Sequence, residues 1–101
     1  MKRITFHEDA DAELIESARY YEERARGLGH LFLAVVKTAA DLIQANPEAF
    51  PLIGNEVRHK LLCRFPYSLL YVIESDRIRI LAVAHEKRRP GYWCYRLYKD
   101  G

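Results

Sequence analysis

Between residues 85 and 93 the chain reads HEKRRPGYW, and a further arginine follows at Arg96. Three cations, an imidazole and two aromatics in nine positions suit two kinds of chemistry. In the first, a histidine moves a proton, arginines neutralise charge growing on a phosphate, and an aromatic ring stacks on a base. RNA cleavage through its own 2′-hydroxyl needs that set. His85 would be the base or acid, Arg88, Arg89 and Arg96 would hold the phosphate, and Tyr92 or Trp93 would stack. In the second, the same stretch and Tyr95 form a protein-docking surface, because tyrosine, tryptophan and arginine are the side chains that dominate such contacts.

Other chemistries find little support in the residues. Cys63 and Cys94 lie far apart with no CxxC and no second ligand pair, so they read as reduced thiols and not as a zinc site or disulfide scaffold. His7, His30, His59 and His85 lack the spacing that places two ligands on one helix face, so no metal and no cofactor is called for. The Met-Lys-Arg start runs into a polar, acid-rich stretch without an apolar run for a signal peptide or membrane span, and the chain reads as cytoplasmic. Charge is unevenly spread. Residues 1–50 carry six Lys/Arg against nine Asp/Glu, a net of −3, and residues 51–101 carry ten against five, a net of +5. A basic half attracts anionic partners. Arg58 and Arg64, with Lys60 between them, would form a cationic rail if their strand runs unbroken.

The elements that must hold these groups follow from periodicity. Residues 1–101 read as one domain with a single modest core. Arg3 to His7 alternates as a short strand, and Asp9 is placed to cap a helix over Asp9 to Arg26 whose apolar stripe is Ala10, Leu14, Ala18, Tyr21 and Ala25. The short RGLG link folds a second helix, Leu28 to Ala45, back as an antiparallel hairpin. Glu48 to Glu56 has no period and reads as a loop. Strands are expected at 57–64, 67–74 and 77–85. On the last, Ile78, Ile80, Ala82 and Ala84 would face the hairpin, while Arg77, Arg79, Leu81, Val83 and His85 would line a more open face. Tyr67 and Tyr71 share one strand face. The order predicts an α+β fold: a short N-terminal strand, a helical hairpin, then a three-stranded antiparallel meander with both helices on one sheet face.

Taken together, ESARYYEERARGLGHLF, NPEAFP, VRHKLLCRFPYSLLYVI and IRILAVAHEKRRPGYWCYR resemble the RelE/ParE superfamily of type II toxins over nearly the whole chain. Arg-Phe-Pro-Tyr with Tyr71, the ILAVAH strand and the Arg-Pro-x-Tyr-Trp-x-x-Arg ending resemble its ParE-like branch. The resemblance implies a growth-inhibiting toxin of the plasmid-stabilising kind, blocked in a hetero-oligomer by a cognate antitoxin that wraps around it. Antitoxin or target would contact Arg58, Arg64, Tyr67, Tyr71, Arg88, Arg89, Tyr92, Trp93, Tyr95 and Arg96. ParE-like members poison DNA gyrase. RelE-like members cleave messenger RNA on the ribosome without metal, and in that case His85, Arg88 and Tyr92 would be the catalytic set. The tyrosine of those nucleases falls on Tyr92, but their two cations fall on Ser68 and Glu86, which favours the gyrase reading. An inactive relative that only binds antitoxin is the third alternative.

Overall fold

A computed structural model describes residues 1–98 of the chain. Its elements run β1 (Arg3–Phe6), α1 (Glu8–Arg24), α2 (Leu28–Ala45), a 3-10 turn Pro47–Ala49, β2 (Leu52–Gly54), β3 (Val57–Leu61), β4 (Tyr67–Ile73), β5 (Arg77–His85) and a 3-10 turn Cys94–Leu97. The strands form one sheet in the order β1-β5-β4-β3-β2. β1 lies parallel to β5, pairing Arg3 with Arg77 and Phe6 with Ile80, and the other neighbours are antiparallel. The expected α+β architecture is therefore present. The helices bury Phe32, Val36, Ala39 and Ile43 against Leu69, Tyr71, Ile78, Ile80 and Val83 on one sheet face.

The hairpin joins where α1 and α2 almost touch. Gly27 turns the chain with a φ of 86°, and the Glu22 carboxylate accepts the Gly27 and Gly29 N–H groups, each at 2.9 Å. The hydrogen bond from Gly27, ahead of that from Gly29, holds this carboxyl below its ordinary value. A Cβ on Gly29 would lie 2.4 Å from the Ala18 carbonyl oxygen and 2.9 Å from Glu22 Cβ, so the two helices would have to separate. Gly29→Ala should therefore lower unfolding free energy by about 1–3 kcal/mol despite alanine's better helix propensity, as measured by urea denaturation; an unchanged midpoint would mean that the contact yields freely.

Several local expectations are corrected. The N-cap of α1 is His7, not Asp9: its Nδ1 accepts the Asp9 N–H at 3.0 Å, because the helix begins one residue earlier. Leu52–Gly54, expected as loop, pairs with β3; three residues are too short to show a period. β3 ends at Leu61, because Arg64 adopts a left-handed φ of 70° and turns the chain. By length and composition α2 is apolar enough to cross a membrane, contrary to the expectation of no such run, although its buried stripe is the core just described.

The most consequential correction lies in β5. Tyr71 pairs with Ile80 but Leu70 pairs with Ala82, so Leu81 is an extra residue, a β-bulge. Beyond it the faces exchange. Val83 now points to the helix-side core and His85 stacks against Tyr67, whereas Leu81, Ala82 and Ala84 belong to the other face. That face is not open. Tyr92, Trp93 and Leu97 pack over Val57, Leu70, Val72, Leu81 and Ala82, and the C-terminal segment closes the sheet like a strap.

Candidate functional site

Pairing with β1 covers the edge of β5 only as far as Ile80, where His7 N–H donates to the Ile80 carbonyl at 2.8 Å. Past that point the exposed edge is satisfied by side chains. Glu13 of α1 accepts from Val83 N–H at 3.0 Å, from the Tyr92 hydroxyl at 2.8 Å, and from Arg96 Nη1 and Nη2 at 2.9 and 3.0 Å. Arg96, only 4% exposed, also donates from Nη1 to the carbonyl of Leu81 at 2.9 Å. Glu13 and Arg96 thus stand in for the missing neighbour strand at the bulge. Charge-assisted, two-pronged contacts of this kind fix geometry as well as energy.

A second buried arginine fastens the strap from the sheet side. Arg79, also 4% exposed, donates to the Arg96 carbonyl at 2.8 Å and the Leu97 carbonyl at 3.1 Å, where a short helix leaves acceptors unpaired. Glu74 accepts from Arg77 Nε and Arg79 Nε at 2.7 and 3.0 Å. Burial alone would raise the Glu74 carboxyl, but those two guanidinium groups outweigh it and hold the carboxyl below its ordinary value. At the other end, the Tyr95 hydroxyl donates to Asp9, and Arg96 Nε donates to the Tyr95 oxygen at 3.1 Å.

The exchange of faces at the bulge also makes a cleft. Tyr20, Tyr21 and Arg24 of α1, Tyr67 of β4, Val83 and His85 of β5, and Arg88 line an open space of about 450 Å³, with Glu13, Glu16 and Ser17 at its α1 wall. The His85 ring meets Tyr67 edge-on at 5.0 Å, and its Nδ1 accepts the Lys87 N–H at 3.0 Å, which leaves Nε2 as the protonated nitrogen of the neutral ring. The Arg88 guanidinium lies 3.8 Å over the Tyr92 ring, and that of Arg24 lies 4.0 Å over Tyr20. Among the described residues neither arginine forms a salt bridge.

The expected site residues therefore separate into groups. His85, Arg88 and Tyr67 share the cleft. Tyr92 stands behind Arg88 with its hydroxyl held by Glu13; burial first, then that hydrogen bond, push its phenol well above the ordinary range. Trp93 is half-buried against the sheet, while Arg89 and Tyr95 are exposed. Arg96 is an interior clamp and not an exposed cation, a correction that follows from its ion pair with Glu13. Tyr71 is likewise interior, 0% exposed, with its hydroxyl bonded to the Pro47 carbonyl. The rail of Arg58 and Arg64 does not exist: Arg58 Nη1 is bound to the Glu48 and Phe50 carbonyls, and Arg64 lies beyond the end of β3. Glu13, Arg79, Tyr20 and Arg24 were not anticipated. Glu13 left a trace, an acid three residues after buried Ala10 on the inward face of α1.

A family model described as the ParE toxin of type II toxin-antitoxin system, parDE, matches residues 4–90, ending just before the strap. Among solved structures, the chromosomal ParDE TA system from P. aeruginosa is similar with a TM-score of 0.62 and 19% identity, over 84% of this chain and 96% of that one. At that identity the likeness speaks for the fold. No curated protein matches.

Proposed function

Because the chain belongs to the ParE toxin family of type II toxin-antitoxin systems, we propose that it is a cytoplasmic toxin that poisons DNA gyrase and is neutralised in a hetero-oligomer by a cognate antitoxin. The exposed end of the strap is the docking surface. Arg88 and Arg89 supply the cations, and Trp93 and Tyr95 the aromatic anchors, on a strap fastened by the Glu13–Arg96 clamp, with Arg88 over the Tyr92 ring.

The observation that carries the non-nuclease reading is the commitment of Tyr92. A ribonuclease needs two groups to move protons at the scissile phosphate. Of the trio His85, Arg88 and Tyr92, the tyrosine hydroxyl is instead a donor to a buried carboxylate, outside the cleft lining. The basic second half also suits an antitoxin with an acidic tail, whose apolar side chains would cover exposed Leu52, Ile53 and Leu61.

The test is to induce the chain without antitoxin and follow two readouts: messenger-RNA integrity on translating ribosomes, and supercoiling by purified gyrase. Supercoiling should stop while messages stay intact, and coexpression with the adjacent reading frame should restore growth. Prompt ribosome-dependent cleavage with normal supercoiling would replace this reading with the endonuclease one.

A further inference from the structure

The two outer strands of the sheet end it differently. β2 is three residues long, shifts register against β3 and runs into Asn55 and Glu56 with left-handed φ, all of which blunt a strand edge. β1 has no such device. It ends the strand order, and its ladder to β5 uses one side only: Thr5 pairs with Arg79, and His7 N–H reaches the Ile80 carbonyl. In a parallel ladder alternate residues turn their peptide groups to the neighbour, so those of Ile4 and Phe6 turn outward, where no strand lies among the described residues. The outward carbonyl before them, that of Lys2, accepts from Gln44 Nε2 at 2.8 Å. Beside this edge the helices leave an apolar groove of about 350 Å³, lined by Ile4, Phe6, Leu14, Leu33, Val36 and Ala40. Leu33 remains 40% exposed.

The chain around this edge is complementary to itself. Lys2 and Arg3 precede Ile4-Thr5-Phe6, and the exposed acid Glu8 follows. An antiparallel copy of β1, set with Ile4 opposite Phe6 of the second copy, pairs all the outward peptide groups of both residues. That register also sets Lys2 opposite Glu8 in both directions. Lys2 already donates to the Glu74 carbonyl at 2.6 Å, which holds it in place and leaves its other N–H groups for a carboxylate. At the centre Thr5 meets Thr5, a favourable cross-strand pair, and its buried Oγ1 makes no hydrogen bond among the described residues. Ile4 and Phe6 pack on the helix side, so the two hairpins fall on one face of a continuous sheet and the two grooves adjoin. We propose that the outer edge of β1 and the groove beside it form a homodimer interface, in which two copies of this chain join antiparallel about a two-fold axis. The interface uses neither the strap nor β2. It can therefore fail while the toxin reading stands, and the reverse.

Sedimentation equilibrium of the purified full-length chain tests this, with reductant present because Cys63 and Cys94 are exposed. The mass is expected to double as concentration rises from micromolar to millimolar, the range in which small interfaces associate. Leu33→Glu should weaken the dimer about tenfold or more by burying a charge in the groove, whereas Leu42→Glu, at an exposed leucine of α2 outside the groove, should not. Lys2→Glu and Glu8→Lys should each weaken it severalfold, and the two combined should regain most of the affinity, a recovery that damage to the fold does not give. Hydrogen exchange at the Ile4 and Phe6 amides should slow as the dimer forms. A monomer throughout this range overturns the proposal, as does equal weakening by Leu42→Glu or a charge swap without recovery. Protection of those amides only on coexpression with the adjacent reading frame would give the edge to the antitoxin and overturn it as well.

Discussion

Glu13→Ala is expected to lower unfolding free energy by about 3–5 kcal/mol, the cost of removing one member of a buried ion pair. The side chains of Arg96 and Glu13 are 5% and 13% exposed, so in the variant a guanidinium stays in the interior with its counter-charge gone. Val83 N–H and the Tyr92 hydroxyl lose their acceptor at the same stroke. Urea denaturation followed by the fluorescence of Trp93, the chain's sole tryptophan, reads both the global transition and the seating of the strap. Glu13→Gln keeps one acceptor oxygen and should lose less. Replacing both partners, Glu13→Leu with Arg96→Met, should recover only the part of the loss due to the stranded charge, because Val83 N–H, the Tyr92 hydroxyl and the Leu81 carbonyl stay without these partners. A loss under 1 kcal/mol in Glu13→Ala would mean that the clamp is solvated and idle.

Trp93→Ala and Arg88→Ala should each silence growth inhibition. A central aromatic or arginine anchor commonly contributes 2 kcal/mol or more to a protein interface, about a thirtyfold change in affinity. Arg88 rests on Tyr92, so Tyr92→Phe should keep part of the activity: the ring that supports the guanidinium remains, and only the bond to Glu13 goes. His85→Ala should do little beyond loosening its contact with Tyr67. Colony counts after induction, paired with a supercoiling assay, check the series. Full protection by His85→Ala alone, with Trp93→Ala still toxic, would move the working surface off the strap.

Periodicity revealed the architecture because the buried residues repeat at regular intervals. The stripe Phe32, Val36, Ala39 and Ile43 is what a helix of that spacing must bury. It could not reveal the bulge. A single extra residue at Leu81 leaves a β-rich run looking unbroken, yet it reverses Ala82, Val83, Ala84 and His85, and with them the position of the cleft. Nor did it locate the arginines. Arg79 within RIRILAVA and Arg96 near the chain end resemble solvated cations in sequence. Their burial depends on carboxylates and carbonyls as distant as Glu13 and Leu97, which only the folded chain brings near. The resemblance to the toxin superfamily was legible because its motifs span the helices and strands alike. The roles of individual residues were not, because they depend on which way one strand turns.

The parallel pairing of β1 with β5 has a consequence in the order of synthesis. The first strand made, Arg3–Phe6, has no sheet neighbour until Arg77–Ile80 has been translated, and Glu13 meets its counter-charge only when Arg96 arrives. A hairpin of helices can collapse early, since its contacts are local, but closure of the sheet waits on contacts between opposite ends of the chain. A nascent chain cut off before the strap has Glu13 but no guanidinium to meet it, and the Leu81 carbonyl without its Arg96 donor. Seating of the strap is therefore the last closure that the chain order allows, and a chain truncated before Arg96 carries the helices and the strands but not the finished surface.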